Sequence, residues 1–273
     1  MQNAIGIDIG GTNPRAARVA ADGRIFAHAA GPTSRNADEV FADLEAKVAG
    51  LRDAATVAIG VGVPGRVDGR SGRVLSGGYI DLSSLRLSEQ LQLSTSLQAF
   101  ADNDANMALV AEAQLGAARG FGDAVMLTIG TGIGGAVLTG GRIFHGGGTA
   151  GQLGHITVDA GAGGKPCNCG RSGCLETESS GTALAGHIAA AGFPAGTRIE
   201  ELMRSKTEAS RAVVAAWAAP LRAGIDSLVA VFGPHVVVLG GGLGGAAVNA
   251  LSRFPAASPW FQCPVTAAQL GDE

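Results

Sequence analysis

The stretch AIGIDIGGTN, residues 4–13, opens on a short β-branched run and ends in two glycines and a hydroxyl residue. An apolar run bounded by a Gly turn predicts a strand. RAARVAA (15–21) and RIFAHAA (24–30) then predict two more, joined at the hairpin dipeptide Asp22-Gly23. The same order returns in AVMLTIGTGIGGAVLTGGRIFHGG (124–147), again strand, Gly turn, strand, turn, strand. Each copy opens an α/β half, so the expected architecture is two related lobes with a cleft between them. The expected division is a small N-terminal lobe, 1–104, and a larger C-terminal lobe, 105–273, which carries a cysteine-rich loop.

Between these anchors Asn36 is placed to cap a helix, with Glu39 closing a capping box, and Val40, Phe41, Leu44, Val48 and Leu51 share one helical face. TVAIGVGVPG (56–65) reads as an apolar strand ending at a Pro-Gly turn. LQAFADNDANMALVAEAQLG (97–116) reads as a strand running into a helix, with Asn103 and Asp104 at the junction. Later come a helix near 176–191, a short one capped by Thr197 with Glu200, and a long one over 207–232 that Pro220 should kink. HVVVLGGGLGG (235–245) predicts a buried strand entering a Gly turn.

Composition narrows the function. Of 273 residues 46% are apolar, enough to build a sizeable core, and the net charge is only −3. Lysine is confined to Lys47, Lys165 and Lys206 and the arginines are scattered. A nucleic-acid face or a polybasic membrane contact is therefore not expected. No apolar run approaches the length of a membrane span and the N-terminus lacks a signal-peptide pattern, so a cytoplasmic protein with reduced thiols is the expectation.

GVGVPG, GTGIGG and GGGLGG all match G-x-G-x-x-G, yet none supports a dinucleotide fold. The first contains Pro64, the second leads into a strand, and the third has no acid about twenty residues on. A Walker A loop is also absent, because the Gly164-Lys165 pair is followed by Pro166. In DIGGTN, however, an acid, two glycines and a hydroxyl residue meet at a strand end. Backbone N–H groups of Gly10, Gly11 and Thr12 can form an anion nest there while Asp8 holds a hydrated Mg²⁺. Gly130, Thr131 and Gly132 repeat the arrangement, so two facing Gly hairpins would grip a polyphosphate. Plain hairpin glycines are the alternative.

Three of the four cysteines, Cys167, Cys169 and Cys174, fall within eight positions, and His155 stands twelve residues upstream of the first. C-x-C-x₄-C with an upstream His supplies four soft or borderline ligands, enough to close a structural zinc site. Buried thiols or a redox pair would share that spacing.

The ordered set DIGGTN (8–13), DNDAN (102–106), GTGIGG (130–135), GHITV (154–158), CNCGRSGCLE (167–176) and VVVLGGG (236–242) resembles the ROK-family sugar kinases. The resemblance spans nearly the whole chain and implies the actin/hexokinase ATPase fold, with two RNase H-like lobes. It further implies ATP at the Asp8 and Gly130 turns, with Gly240 and Gly241 beside the adenosine, and a hexose or N-acetylhexosamine as acceptor at its 6-hydroxyl. Carried over by motif, Asp104 is the catalytic base, Asn103 binds a neighbouring hydroxyl, and Glu176 accepts sugar hydroxyls. His155 both ligates structural Zn²⁺ with the three cysteines and faces the sugar. Helix capping is the alternative role for Asp104, and relatives are often homodimers.

Three features depart from the glucokinase-like pattern. Gln152 stands where E-x-G-H members have Glu, VLSGGYIDLSSL (74–85) lacks the Asn–Trp sugar loop, and the chain ends at Glu273 before a common terminal helix. A catalytically degenerate sugar-binding protein is thus a rival expectation. A sugar-responsive repressor is another, although the chain starts directly at the first strand without a DNA-binding domain.

Overall fold

The computed structural model describes residues 2–9, 14–32, 34–76, 80–161 and 163–271. Gly10, Gly11 and Thr12 lie outside the described residues, as do Asn13 and 77–79. The chain forms two compact units, Met1–Ala108 with His145–Ala150, and Leu109–Phe144 with Gly151–Glu273.

In the first unit β1 (Asn3–Asp8), β2 (Arg15–Ala20) and β3 (Ile25–Ala30) form an antiparallel meander. Gly23 takes φ +84° at the hairpin between β2 and β3, as Asp22-Gly23 predicts. Helix α1 (Ala37–Leu51) crosses to β4 (Thr56–Val63), which lies parallel to β1. A hairpin of β5 (Arg66–Asp68) and β6 (Arg73–Ser76) and helix α2 (Leu87–Thr95) lead to β7 (Gln98–Asn103), parallel to β4. The sheet order is β3-β2-β1-β4-β7. Ile5, Ile7, Ile59 and Val61 of the sheet pack with Val40, Leu44 and Val48 of α1 and Leu87 and Leu91 of α2.

The second unit repeats the plan. After α3 (Asp104–Leu115), β8 (Ala124–Ile129), β9 (Ile133–Thr139) and β10 (Arg142–Ile143) form the meander. Helices α4 (Leu175–Ser179), α5 (Gly181–Ala190), α6 (Ile199–Arg204) and α7 (Glu208–Phe232) precede β11 (Val236–Gly240), parallel to β8. Helix α8 (Gly244–Leu251) then leads to β12 (Val265–Ala267), parallel to β11. The order β10-β9-β8-β11-β12 matches that of the first unit, strand for strand. All five residues of β11 are buried, as an apolar run paired on both edges, by β8 and β12, leads one to expect.

Several expectations are corrected. Asn36 does cap α1, accepting from the amides of Asp38 and Glu39, but Glu39 does not close the box. Its carboxylate accepts instead from Ser34 Oγ, which in turn accepts the Asn36 N–H. The helix expected over 176–191 is broken at Ser180, whose side chain caps α5 by accepting the Ala183 N–H. Thr197 does not cap α6; its hydroxyl turns back to Pro194 O, and Arg198 holds the cap position. Helix α7 runs on through Pro220 and is long and apolar enough, by length and composition, to cross a membrane. That span was missed in the sequence, but Val213, Trp217, Leu221 and Ile225 make it a core helix of the second unit.

Glu112 of α3 is 2% exposed and carries the end of the chain. One carboxylate oxygen accepts the amides of Gln269 and Leu270, the other that of Ala117. Glu112→Ala would strand these donors, so we expect a loss of about 2–4 kcal/mol, since buried groups left without partners cost about 1–3 kcal/mol each. Urea denaturation checks this; an unchanged midpoint would mean that water replaces the carboxylate.

Candidate active site and metal centre

In the first unit the chemistry gathers where parallel strands end. Asp8 closes β1 opposite Gly62 of β4, and Asp102 and Asn103 close β7 opposite Gly62 and Val63. Carboxyl ends of parallel strands are where α/β folds place ligands. Asn103 donates from Nδ2 to Gly65 O at 2.9 Å and accepts the Ala105 N–H at 3.0 Å. Asp104 Oδ1 accepts the same N–H at 2.9 Å, so the cap expected of Asp104 is shared. Burial pushes the Asp104 carboxyl up to about 6, with the Ala105 amide opposing and the Asp8 charge adding to the rise.

In the second unit the GTGIGG turn joins β8 to β9. Gly130 O accepts the Gly181 N–H at 2.7 Å, and Thr131 O accepts the Thr182 hydroxyl at 2.8 Å. Glu176 on α4 accepts the Ile133 N–H at 2.8 Å, and a Cβ at residue 132 would fall 2.4 Å from that carboxylate. A side chain at residue 132 would therefore push the Glu176 carboxylate off the Ile133 amide. Gly241 has φ +72°, and a Cβ on it would meet Ile129 O at 2.7 Å, so the β11 turn is pressed onto the end of β8. Gly130, Thr131, Gly132, Gly240 and Gly241 therefore share one corner. Beside it is a cavity of about 490 Å³ lined by Gly181, Leu184, Ile188, Arg198, Gly242 and Leu243, within the range of small-ligand sites. The sequence reading missed Thr182 and Arg198, which no local pattern marks.

Gln152, half-buried, precedes a short 3₁₀ turn, Leu153–His155. His155 Nδ1 lies 3.5 Å from Cys167 Sγ, and Cys169 and Cys174 are 3.5 Å apart. All four donor atoms fall within 4.8 Å of one another. Zinc bonds of about 2.3 Å to sulfur and about 2.0–2.1 Å to nitrogen put tetrahedral donors roughly 3.5–3.8 Å apart. The chemistry and spacing of the set therefore fit zinc. Sulfurs at 3.5 Å are well beyond disulfide length. The loop is tightly built: Cys167 N–H donates to Arg171 O, the Gly170 amide returns to Cys167 O, and Arg171 donates to His155 O. Helix α4, next in sequence, is fixed to α7 by Ser179 Oγ on Trp217 O and by Trp217 Nε1 on Ser180 O. Glu176 is thus carried on a rigid support.

Two units of one topology, the GTGIGG turn between β8 and β9 and a Cys₃His loop define a class, and the chain belongs to it. The ROK family model matches residues 4–257. The fold is that of the ROK hexokinases, the actin/hexokinase ATPase fold. Among curated relatives the chain is similar to a glucokinase of Halalkalibacterium halodurans, 35% identical over 66% of this chain and 57% of the relative. It is similar too to an N-acetylmannosamine kinase of Escherichia fergusonii, 36% identical over 66% of this chain and 62% of the relative. The matches thus span less than two thirds of either relative. Among solved structures, a ROK glucokinase from Streptomyces griseus in complex with glucose and AMPPNP is 29% identical, with TM-score 0.80, covering 98% of this chain and 95% of that one.

Proposed function

We propose that this chain is an ATP-dependent sugar kinase that phosphorylates the 6-hydroxyl of a hexose or N-acetylhexosamine. The observation that carries the reading is Asp104, a shielded carboxyl raised to about 6 beside the hydroxyl-binding candidate Asn103. A base of that strength is charged at neutral pH yet basic enough to take a proton as the acceptor reacts. Asp104 takes the hydroxyl proton, the sugar oxygen forms a bond to the γ-phosphorus, and the bond to the ADP oxygen breaks. Phosphoryl transfer leaves the protein mainly positioning and charge to supply.

Asp8, an oxygen donor at the end of β1, suits hydrated Mg²⁺, which supplies charge to the phosphates. The corner of Gly130–Gly132, Gly240 and Gly241 offers backbone to a nucleotide, and the adjoining cavity suits an adenine. His155, Cys167, Cys169 and Cys174 would hold zinc, which shapes the loop and performs no step. Gln152, His155 and Glu176 would line the sugar. None of the four cysteines is in a disulfide, the reduced state that a cytoplasmic location keeps. Purified protein with ATP, Mg²⁺ and glucose, mannose, N-acetylglucosamine and N-acetylmannosamine in a coupled ADP assay tests the reading; no sugar-dependent ADP would sink it.

Gln152 sets an expectation on the sugar. A carboxylate only accepts, whereas an amide also donates, and so suits an N-acetyl carbonyl. Gln152→Glu is expected to shift preference toward glucose by roughly 1–3 kcal/mol, the range for a charged hydrogen bond. Ranking kcat/KM over the four sugars checks it, and an unchanged order would remove residue 152 from the choice of substrate.

A further inference from the structure

We infer that His145 is a positioning residue for the Asn103–Asp104 corner and acts through Asp102, an inference that rests on the kinase reading above. His145 follows β10, but the segment His145–Ala150 belongs to the first unit. It forms a tight turn, in which His145 O accepts the amides of Gly148 at 2.7 Å and Ala150 at 3.1 Å. The turn is held on the β5–β6 hairpin from both sides. Gly69 N–H donates to Gly148 O at 2.9 Å, and the Arg70 guanidinium donates to Gly146 O at 3.0 Å.

Held in that way, the imidazole puts Nε2 2.7 Å from Asp102 Oδ2. The other Asp102 oxygen accepts the Asn103 N–H at 2.7 Å and the Asn106 Nδ2–H at 2.9 Å. One carboxylate therefore bridges the end of β7 and the first turn of α3, and Asn103 and Asp104 lie between its two anchors. An ionised carboxylate only accepts, so the ring nitrogen facing it donates. His145 is the group that fixes the outer oxygen of this bridge. Its side chain is 24% exposed and that of Asp102 is 18%, so water competes weakly.

Gly69 gives an independent sign that the ring position matters. A Cβ there would lie 1.8 Å from His145 Cδ2 and 2.2 Å from Nε2. Gly69 is not among the glycines with left-handed φ, so the turn itself would accept alanine. What alanine would displace is the imidazole.

The test uses the full chain and steady-state kinetics with each sugar of the panel and with ATP. His145→Ala is expected to lower kcat/KM for the sugar about 10- to 100-fold, the effect of a slightly misplaced reacting group, with the KM for ATP and the melting temperature little changed. His145→Gln, whose amide donates at similar reach, should restore most of the loss. Gly69→Ala should reproduce the defect, yet add almost nothing in the His145→Ala background, because both remove the same contact. Wild-type kinetics in His145→Ala would overturn the inference, as would a defect that glutamine does not rescue or one additive with Gly69→Ala. Should His145→Ala not fold, the glutamine and Gly69→Ala variants carry the same decision. Asp104→Asn serves as the control for the underlying reading. If the wild type turns over, Asp104→Asn does not and His145→Ala is normal, the inference alone fails. If the wild type phosphorylates no sugar, the kinase reading fails and takes this one with it.

Discussion

Asp104→Asn is expected to lower kcat by roughly 10²–10⁴-fold, the usual span for a lost general base, while making the protein harder to unfold at neutral pH. The first effect corresponds to about 3–5 kcal/mol of barrier. The second follows from burial and from Asp8, which together hold the Asp104 carboxyl up from 3.8 to about 6 against the opposing Ala105 amide. Between those values the folded chain keeps a proton that the unfolded chain has released. This carboxylate therefore subtracts stability as pH rises, and its full cost is present above about pH 6. One pKa unit is about 1.4 kcal/mol, so the cost is at most about 3 kcal/mol. Partial solvent access and the loss of a charge at the start of α3 reduce the expected gain to about 1–2 kcal/mol. Thermal melts without added Mg²⁺ should thus separate the variants at pH 7.5 and bring them together near pH 4. In the active enzyme the acid limb of kcat/KM should fall near pH 6. Near-normal turnover in Asp104→Asn would leave only the shared helix cap.

The topology was legible because both meanders announce themselves: a β-branched run, a Gly turn and a second run occur at 4–20 and again at 124–139. What escaped was short or lacked a period. The β5–β6 hairpin, RVDGRSGRV, shows no sustained alternation, and each strand pairs over only three or four residues. The possible helix after GGGLGG is α8, which starts at Gly244, inside the glycine motif itself. The break at Ser180 did carry a signal, the Ser-Gly dipeptide, but the apolar spacing on either side masked it.

In the candidate site, residue types could be read from the sequence but their surroundings could not. Asp104 was identifiable beside Asn103, yet its raised pKa depends on burial and on Asp8, ninety-six positions away in sequence. Asp102 and His145 are 43 residues apart, and no local pattern joins them. Gly69 looks like an ordinary turn glycine until the imidazole above it is seen. Glu176 was expected at the sugar, and what its position adds is a bond to the GTGIGG turn through the Ile133 amide. The loop that carries Glu176 is thereby coupled to the strand pair that would meet phosphate.

The Cys₃His loop carries the largest expected effect of metal removal. One zinc per chain is expected, bound by His155, Cys167, Cys169 and Cys174; in small domains that fold only with metal such sites are worth on the order of 10 kcal/mol, whereas here a separate apolar core confines the loss to the loop. Apart from a metal the loop is held by short-range turns, Cys167 N–H to Arg171 O, Gly170 N–H to Cys167 O and Gly173 N–H to Lys165 O, and by the Lys165–Glu178 ion pair, with Cys169 exposed and Cys167 partly so. Without metal, burial pushes the Cys174 thiol up to about 12, whereas the Arg171 amide chiefly brings the exposed Cys169 down to about 7. Chelation removes the bonds that would tie the three cysteines to His155, so the cysteine end of the loop should loosen. Because α4 starts at Leu175, directly after Cys174, the Glu176 carboxylate should lose its fixed approach to Ile133 while the α7 core persists. The expected result is loss of sugar turnover, with far-UV circular dichroism largely retained. Only Cys263 should react readily with a thiol reagent before chelation, and all four cysteines after it. Cys174→Ser should behave as the chelated protein does even with zinc supplied. Metal analysis that finds no zinc in gently purified protein, with four thiols titrating freely from the start, would reduce the cluster to a set of neighbouring cysteines.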